Sequence, residues 1–342
     1  MKGLHKKKHA QSFNIPNFNC KKTQNKLDLI TCNNNKYKIR DPIGAGAFGT
    51  VYLAEDQKTN KKIAIKVQSS SLLEDFVREI QMMQILNKNG VSGIGKMLFF
   101  AKSKEKYLLA MEYIEGKNLG SAFSKNNLNL INKIELLIDI AKNLEEIHKS
   151  GITHNDLKPD NIMVNKNRQL SKICDFGTSK DNKLYPDKIT RGTPIYESPE
   201  SKRFEIMNNF IDEQKKDVYS LAVIFYELIY KPNVGNFSVI FGDKKFFQKT
   251  VTKKQINKGR LDDFISNTLK SKPNPPHKIH TSKKKKKLIT HIFKKKKPIY
   301  KKMFENLLYH MSHSNVKKRH TMSQVVQDLE DIKKLIPKKR SD

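Results

Sequence analysis

Four short stretches, met in a fixed order, restrict this chain to very few folds. The first, "GAGAFGTV", sets Gly44, Gly46, Gly49 and Val51 between two segments of strand-like alternation. The second, "IAIKV", places Lys66 on a strand. The third is "HNDLKPDN", residues 154–161, and the fourth is "DFG", whose Asp175 lies 19 residues beyond Asp156. A turn that cradles phosphate needs glycines, because the backbone must approach the phosphate oxygens without Cβ atoms in the way. In dinucleotide-binding folds this glycine spacing opens a helix. Here it runs into the β-rich "TVYLAED", which argues against that class.

Each residue type suits one chemical task. A cation at Lys66 can clamp phosphates, and it needs a carboxylate to hold it. Glu79, in the helical pattern "LLEDFVREIQMMQIL", is suitably placed, with Glu74 a weaker rival. Asp156 can orient an attacking hydroxyl and accept its proton, while Lys158 can neutralise the transferred group. Asn161 and Asp175 offer oxygens to a metal. Taken singly, each fragment is commonly a solvated polar residue or a chance turn. Their joint order, spacing and context are not chance.

The rest of the pattern supports a large mixed fold. With 342 residues and 37% hydrophobic content, the chain can bury two packed lobes. Strands are predicted around "YKIRDPIG", "TVYLAED" and "KIAIKVQ", and a hairpin in "KMLFFAKSKEKYLLAMEYI". An amphipathic helix is predicted over 130–149, ending at Gly151, with short strands near 162–164 and 171–174. "DVYSLAVIFYELIY" is apolar nearly all round and reads as a buried helix; 301–312 and 321–335 read as closing helices. The longest strongly apolar run, Leu221 to Tyr230, contains Glu227 and is too short for a transmembrane segment. The N-terminus lacks the apolar stretch of a signal peptide. The three cysteines show no paired spacing, so an intracellular, cytoplasmic or nuclear setting is expected. Cys20 and Cys32 with His5 and His9 fit no common zinc spacing.

The net charge of +33 is unevenly placed. Residues 1–40 carry +9, residues 41–230 only +2, and residues 231–342 carry +22. The polar stretch 1–36 reads as a basic flexible arm, 231–300 as a basic irregular insert with lysine runs at 283–287 and 294–297, and 337–342 as a basic tail. Such segments can meet polyanions or acidic proteins. Lysine outnumbers arginine 59 to 8, with no interleaved aromatics, so compositional bias is the stronger account than specific nucleic-acid reading.

Together these residues resemble the eukaryotic protein kinase superfamily, of the Ser/Thr type, over roughly residues 37–336. "GTPIYESPE" (192–200), "DVYSLAVI", "KKRHT" and "MEYIEG" extend the match. The resemblance implies an α+β, bilobal protein kinase-like fold. It has a small antiparallel-sheet N-lobe, about 37–113, with one key helix, and a larger, mainly helical C-lobe, about 117–336. It implies ATP with Mg²⁺ or Mn²⁺, and a protein substrate with a Ser or Thr acceptor. By resemblance, Asp156, Lys158, Lys66 and Glu79 are catalytic, and Asn161 and Asp175 hold the metal. Ile43, the three loop glycines, Val51, Ala64 and Met163 would surround the nucleotide. Met111 would guard the back pocket, Glu112 and Ile114 would bond the adenine edge, and Asn118 would reach the ribose. His154, Phe176, Thr193, Glu200, Asp217 and Arg319 would brace the site. "DLKPDN" with Thr193 fits Ser/Thr specificity.

The sequence departs from this family at Asn155, where Arg is usual. That Arg receives an activation-loop phosphate and makes no bonds in the reaction. Its absence predicts a segment held by its own packing or by a partner, and activity without loop phosphorylation. Two rival functions remain: a kinase-fold scaffold (pseudokinase) that binds acidic partners, and a small-molecule kinase. Cys174, next to Asp175, is expected at the cleft floor. A small buried filler is the better account of why it is there, yet neighbours that favour thiolate predict ATP-protectable alkylation, with Cys20 and Cys32 labelled regardless of ATP.

Overall fold

A computed structural model describes residues 15–23, 26–46, 49–124, 128–165, 170–181, 184–185, 192–202, 213–230, 298–313 and 315–337. The lysine runs and nearly all of the expected 231–300 insert lie outside the described residues, as does nearly all of the 337–342 tail.

The N-terminal part is a seven-stranded antiparallel sheet of order β1-β2-β3-β4-β5-β7-β6. Its strands are β1 (Phe18–Thr23), β2 (Lys26–Cys32), β3 (Asn35–Gly46), β4 (Gly49–Asp56), β5 (Lys62–Ser69), β6 (Met97–Lys102) and β7 (Lys106–Glu112). The first two strands correct the expectation of a flexible arm through residue 36. Asn33 and Asn34, with φ of 48° and 62°, make the two-residue turn that brings Cys32 opposite Asn35. Both central residues of a type I′ hairpin turn need positive φ, which Asn tolerates well. At the far edge, Asn17 bridges Lys102, and the Lys102 amide donates to the Pro16 carbonyl at 2.7 Å. The two outer strands therefore meet at that end and enclose a separate core that includes Phe18, Ile30, Tyr37, Ile65 and Leu108.

This closure explains why β5 is buried on both faces. Ile63, Ile65 and Val67 face the enclosed core, while Ala64, Lys66 and Gln68 leave the other face of the strand. Helix α1 (Leu73–Lys88) packs beside the sheet with Phe76, Ile80, Met83 and Leu86 buried, at helical spacing. Glu74 and Asp75 in its first turn and Lys88 in its last suit the helix dipole. Phe76 stacks on Tyr107 at 4.6 Å. Truncating Phe76 to Ala would cost about 3–5 kcal/mol and loosen the helix from the sheet.

The C-terminal part is mainly helical. The two-residue strand β8 (Lys117–Asn118) leads into α2 (Leu119–Ser124) and α3 (Leu130–Lys149). Asn129 caps α3 by accepting from the Asn132 amide, and Gly151, at φ 82°, follows its end. Strands β9 (Ile152–Thr153), β10 (Ile162–Val164), β11 (Ser171–Ile173) and β12 (Lys180–Asp181) then frame the catalytic-loop sequence. Helices α4 (Pro199–Lys202), α5 (Gln214–Tyr230), α6 (Ile299–Met311) and α7 (Met322–Lys334) complete the described lobe. Helix α7 opens on a capping box between Thr321 and Gln324. The buried face of α5, with Val218, Leu221, Ala222 and Phe225, forms the centre of a core shared with α3, α6 and α7. Among the described residues no helix is long and apolar enough to cross a membrane.

Candidate active site

The cleft between the lobes gathers the predicted residues. Lys66 from β5 and Glu79 from α1 form a buried pair, Nζ to both carboxylate oxygens at 2.8 and 2.9 Å. Glu79 is therefore the partner, and Glu74 is exposed. Lys66 Nζ also reaches Asp175 Oδ1 at 3.1 Å. Burial works against the Lys66 ammonium, but the charges of Glu79 and Asp175 hold its pKa above the usual range. Burial likewise opposes ionisation of Asp175, yet Lys66, with His154 and the Gly177 amide, keeps the carboxyl below its usual range. Phe176 is buried, its ring 5.2 Å from that of His154 in an edge-on contact.

The loop between β9 and β10 carries Asp156. Its Oδ1 accepts from the Thr193 amide at 2.6 Å and the Thr193 hydroxyl at 2.8 Å. Its Oδ2 accepts from Lys158 Nζ at 2.6 Å, and Lys158 also donates to Thr193 Oγ1 at 2.9 Å. Both carboxylate oxygens are thus fixed in direction. A Cβ at Gly192 would lie 2.3 Å from the Asn155 carbonyl, so only glycine lets this segment close over the loop. Asn161 Nδ2 donates to the Asp156 carbonyl at 2.9 Å, which leaves its amide oxygen as the atom suited to a cation.

Asp217 at the start of α5 braces the loop. It accepts from the amides of His154 and Asn155 at 2.8 and 2.9 Å and pairs with His148 Nε2 at 2.9 Å. Full burial opposes its charge, yet the His148 bond and the nearby histidine charges hold its pKa below the usual range. Arg319 meets Glu200 through both guanidinium nitrogens, at 2.5 and 3.0 Å, and lies 5.3 Å over the Tyr219 ring.

Asn155 sits at φ 66°, a left-handed conformation that Asn adopts with less strain than most residues. Its Nδ2 lies 3.4 Å from the Thr178 carbonyl. The hydroxyls of Thr178 and Ser179 donate to the His154 carbonyl at 3.3 and 3.0 Å. Strand β12 pairs with β9, and buried Lys180 meets Glu213 at 3.2 Å. The start of the segment after Asp175 is therefore anchored by the protein's own groups.

Along the upper cleft, Gly44 pairs with Val51 and Gly46 with Gly49, while Ala47 and Phe48 lie outside the described residues. Gly49 has φ 123°, and a Cβ there would lie 2.2 Å from the Val67 carbonyl. Ala64 pairs with Met111 across β5 and β7, and Met163 with Asn118 across β10 and β8. Ile43 is 48% exposed on the glycine-rich turn. Glu112 directs its side chain to Lys172 at 2.7 Å, and Gly95 approaches Ile114. Asn118 is engaged as a cap, accepting from the Ser121 amide at 2.8 Å.

Cys174 requires a correction. Its thiol lies 3.4 Å from the Asn161 carbonyl, and burial, with Asp175 adjacent, pushes its pKa up to about 12. Desolvation outweighs the two lysines, so the thiolate is not favoured.

Sequence reading passed over Gln68, Arg78 and His148. Gln68 donates to Glu79 at 3.0 Å, and Arg78 donates to Asp75 and to the Gly177 carbonyl, both at 2.7 Å. The signal for Gln68 was available: a polar residue two positions beyond Lys66 shares its strand face.

Comparison with known proteins agrees with this geometry. A model of the protein kinase domain matches residues 37–329. Serine/threonine-protein kinase pkn3 of Myxococcus xanthus is 32% identical over 213 residues, covering 57% of this chain and 37% of that protein. CBL-interacting serine/threonine-protein kinase 20 of Arabidopsis thaliana is 32% identical over 204 residues, covering 57% and 45%. The human serine/threonine-protein kinase Nek5 is 29% identical over 201 residues, covering 57% and 28%. The chain spans less than half the length of each of these relatives. Strands β1 and β2 precede the matched residues.

Proposed function

Because the chain belongs to the protein kinase domain family, we propose that it is an ATP-dependent Ser/Thr protein kinase that works without a phosphate on its activation segment. The observation that carries this is the assembled state of both halves of the site. Lys66 is paired with Glu79, and Asp156 is held on both oxygens by Thr193 and Lys158. Asn155 supports the second clause, because it is neutral and short and its place is served by hydrogen bonds within the protein.

The nucleotide would lie under the turn of Gly44, Gly46 and Gly49, with Val51, Ala64 and Met163 about the purine and Met111 behind it. The backbone of Glu112 and Ile114 would meet the adenine edge, and Asn118 would face the ribose. Asn161 and Asp175 fit a hard divalent ion: one offers an amide oxygen whose nitrogen is committed elsewhere, the other a carboxylate held ionised by Lys66. Bound Mg²⁺ or Mn²⁺ supplies Lewis-acid neutralisation of phosphate oxygens there. Lys66 holds phosphate in position, and Glu79 holds Lys66. The acceptor hydroxyl is oriented by Asp156 and passes its proton toward that carboxylate as the new oxygen–phosphorus bond forms and the bond from the γ-phosphorus to the β,γ-bridging oxygen breaks, with ADP as the leaving group. Lys158 neutralises charge on the transferred group. Positioning and charge compensation account for most of the acceleration.

The test is transfer from γ-labelled ATP to mixed protein acceptors, with Asp156→Asn and Asp175→Ala as controls. Label on Ser and Thr, lost in both controls, is the expected result. Label only on small molecules identifies a small-molecule kinase, and no transfer despite nucleotide binding identifies a scaffold. Either outcome overturns the proposal. Polyanion binding through the lysine runs is a separate proposal. Replacing their nine lysines with Gln should abolish salt-sensitive heparin binding.

A further inference from the structure

Gln68 stands two residues beyond Lys66 on β5, so both side chains leave the same face of the strand. Its Nε2 donates to Glu79 Oε2 at 3.0 Å, the same oxygen that Lys66 reaches at 2.9 Å. The amide can face only this way, because a carboxylate accepts and does not donate. Gln68 is 2% exposed, and its Oε1 is buried without a hydrogen-bond partner among the described residues. An unpaired buried acceptor is costly, and a hydrocarbon of equal length would avoid it. What the amide brings to this position is its donor. The stem is held as well: a Cβ at Gly49 would lie 3.2 Å from Gln68 Cγ, so the strand leaving the glycine-rich turn closes against it.

Lys66 has divided obligations. Its ammonium meets Glu79 and Asp175, and in the proposed function it must also engage phosphate. We propose that Gln68 is a positioning residue that holds the Glu79 carboxylate, and helix α1 with it, while Lys66 is drawn toward phosphate. This rests on the kinase reading above. Glu79 then keeps a neutral donor from β5 whatever Lys66 does, and the helix does not drift as charge moves away. Among the described residues, the charged groups bonded to the amide or to its partner are Glu79 from α1, Lys66 from β5 and, through Lys66, Asp175.

The test uses the full chain with Gln68→Met, which keeps length and removes the donor, and Gln68→Glu. For each, kcat and the Kd for Mg-ATP are measured from pH 6 to 8.5 beside wild type. Gln68→Met should lower kcat about ten-fold and raise Kd about three-fold, since misplacing Lys66 harms the transition state more than the bound state. Gln68→Glu sets two carboxylates together. At high pH both are charged and repel; at lower pH they share a proton, and the protonated one donates as the amide did. Its activity and affinity, as ratios to wild type, should therefore be depressed at pH 8.5 and recover toward pH 6. A purely structural role would not produce that slope. Wild-type kcat in Gln68→Met, or a pH-independent ratio in Gln68→Glu, overturns the proposal. If Gln68→Met loses its cooperative melt, the Gln68→Glu ratio alone decides. Wild type that binds Mg-ATP but transfers nothing overturns the kinase reading instead, and the Kd ratio still tests Gln68.

Discussion

Arg78 of helix α1 donates to the Gly177 carbonyl at 2.7 Å, tying the helix that carries Glu79 to the backbone just after Asp175. The same Nη2 meets Asp75 at 2.7 Å, and the residue is 3% exposed. Helix position and segment position are therefore coupled through one guanidinium. Arg78→Lys keeps the charge but cannot hold both partners in this geometry. We expect kcat to fall about ten-fold with nucleotide affinity nearly unchanged, as steady-state kinetics beside calorimetric binding would show.

Lys66→Met should remove phosphotransfer and also destabilise the fold. It leaves Glu79 buried with Gln68 as its remaining side-chain donor among the described residues, and breaking a buried ion pair costs about 3–5 kcal/mol. Replacing both partners, Lys66→Met with Glu79→Leu, should recover much of that stability and none of the activity. Chemical denaturation of the single and double variants checks this.

Acid should destabilise the catalytic lobe through Asp217. Its carboxyl is lowered in the folded state despite burial, with His148 bonded to it, so its contribution is present above the unfolded carboxylate pKa. That contribution is lost as pH falls through the folded value, below the ordinary aspartate range. Asp217→Asn should flatten the acid limb of the stability–pH curve below about pH 4. Melting curves of both proteins across that range give the comparison.

Thiol labelling separates the three cysteines. Cys20 is exposed, Cys32 is buried with its pKa raised by desolvation, and Cys174 is pushed up to about 12. Iodoacetamide at pH 8 should modify Cys20 first and leave the other two largely intact until the protein unfolds. Peptide mass mapping with time resolves the order.

The catalytic-loop chemistry was legible because each of its tasks demands a particular residue at a particular spacing. Lys66, Glu79, Asp156, Asn161 and Asp175 were singled out from order, spacing and context, with their roles implied by resemblance, and the structure pairs Lys66 with Glu79 and Asp175. Helix α3 emerged at 130–149 because its apolar period is strong. Strands β1 and β2 were not legible. Their segment is rich in Lys and Asn, and its burial depends on a few residues, Phe18, Ile30 and Cys32, closing against a sheet already formed. The Asn33–Asn34 turn was the local signal, hidden in an Asn-rich stretch. Gln68 was missed for a related reason: its partner lies on another element, and strand alternation says which face a residue takes but not what it meets there. The pKa of Cys174 was misjudged because nearby lysines are visible in sequence and desolvation is not.

The central claim is that this chain transfers phosphate to protein hydroxyls with its activation segment unmodified. The most direct measurement is the turnover of protein treated with a broad phosphatase, shown phosphate-free by intact mass, and assayed for initial rate on an exogenous acceptor before any autophosphorylation accumulates. The anchoring of the segment by Asn155, Ser179 and Arg78 predicts an initial rate close to that of untreated protein, with no lag. A rate that starts at background and rises only as phosphate returns to the segment would contradict it.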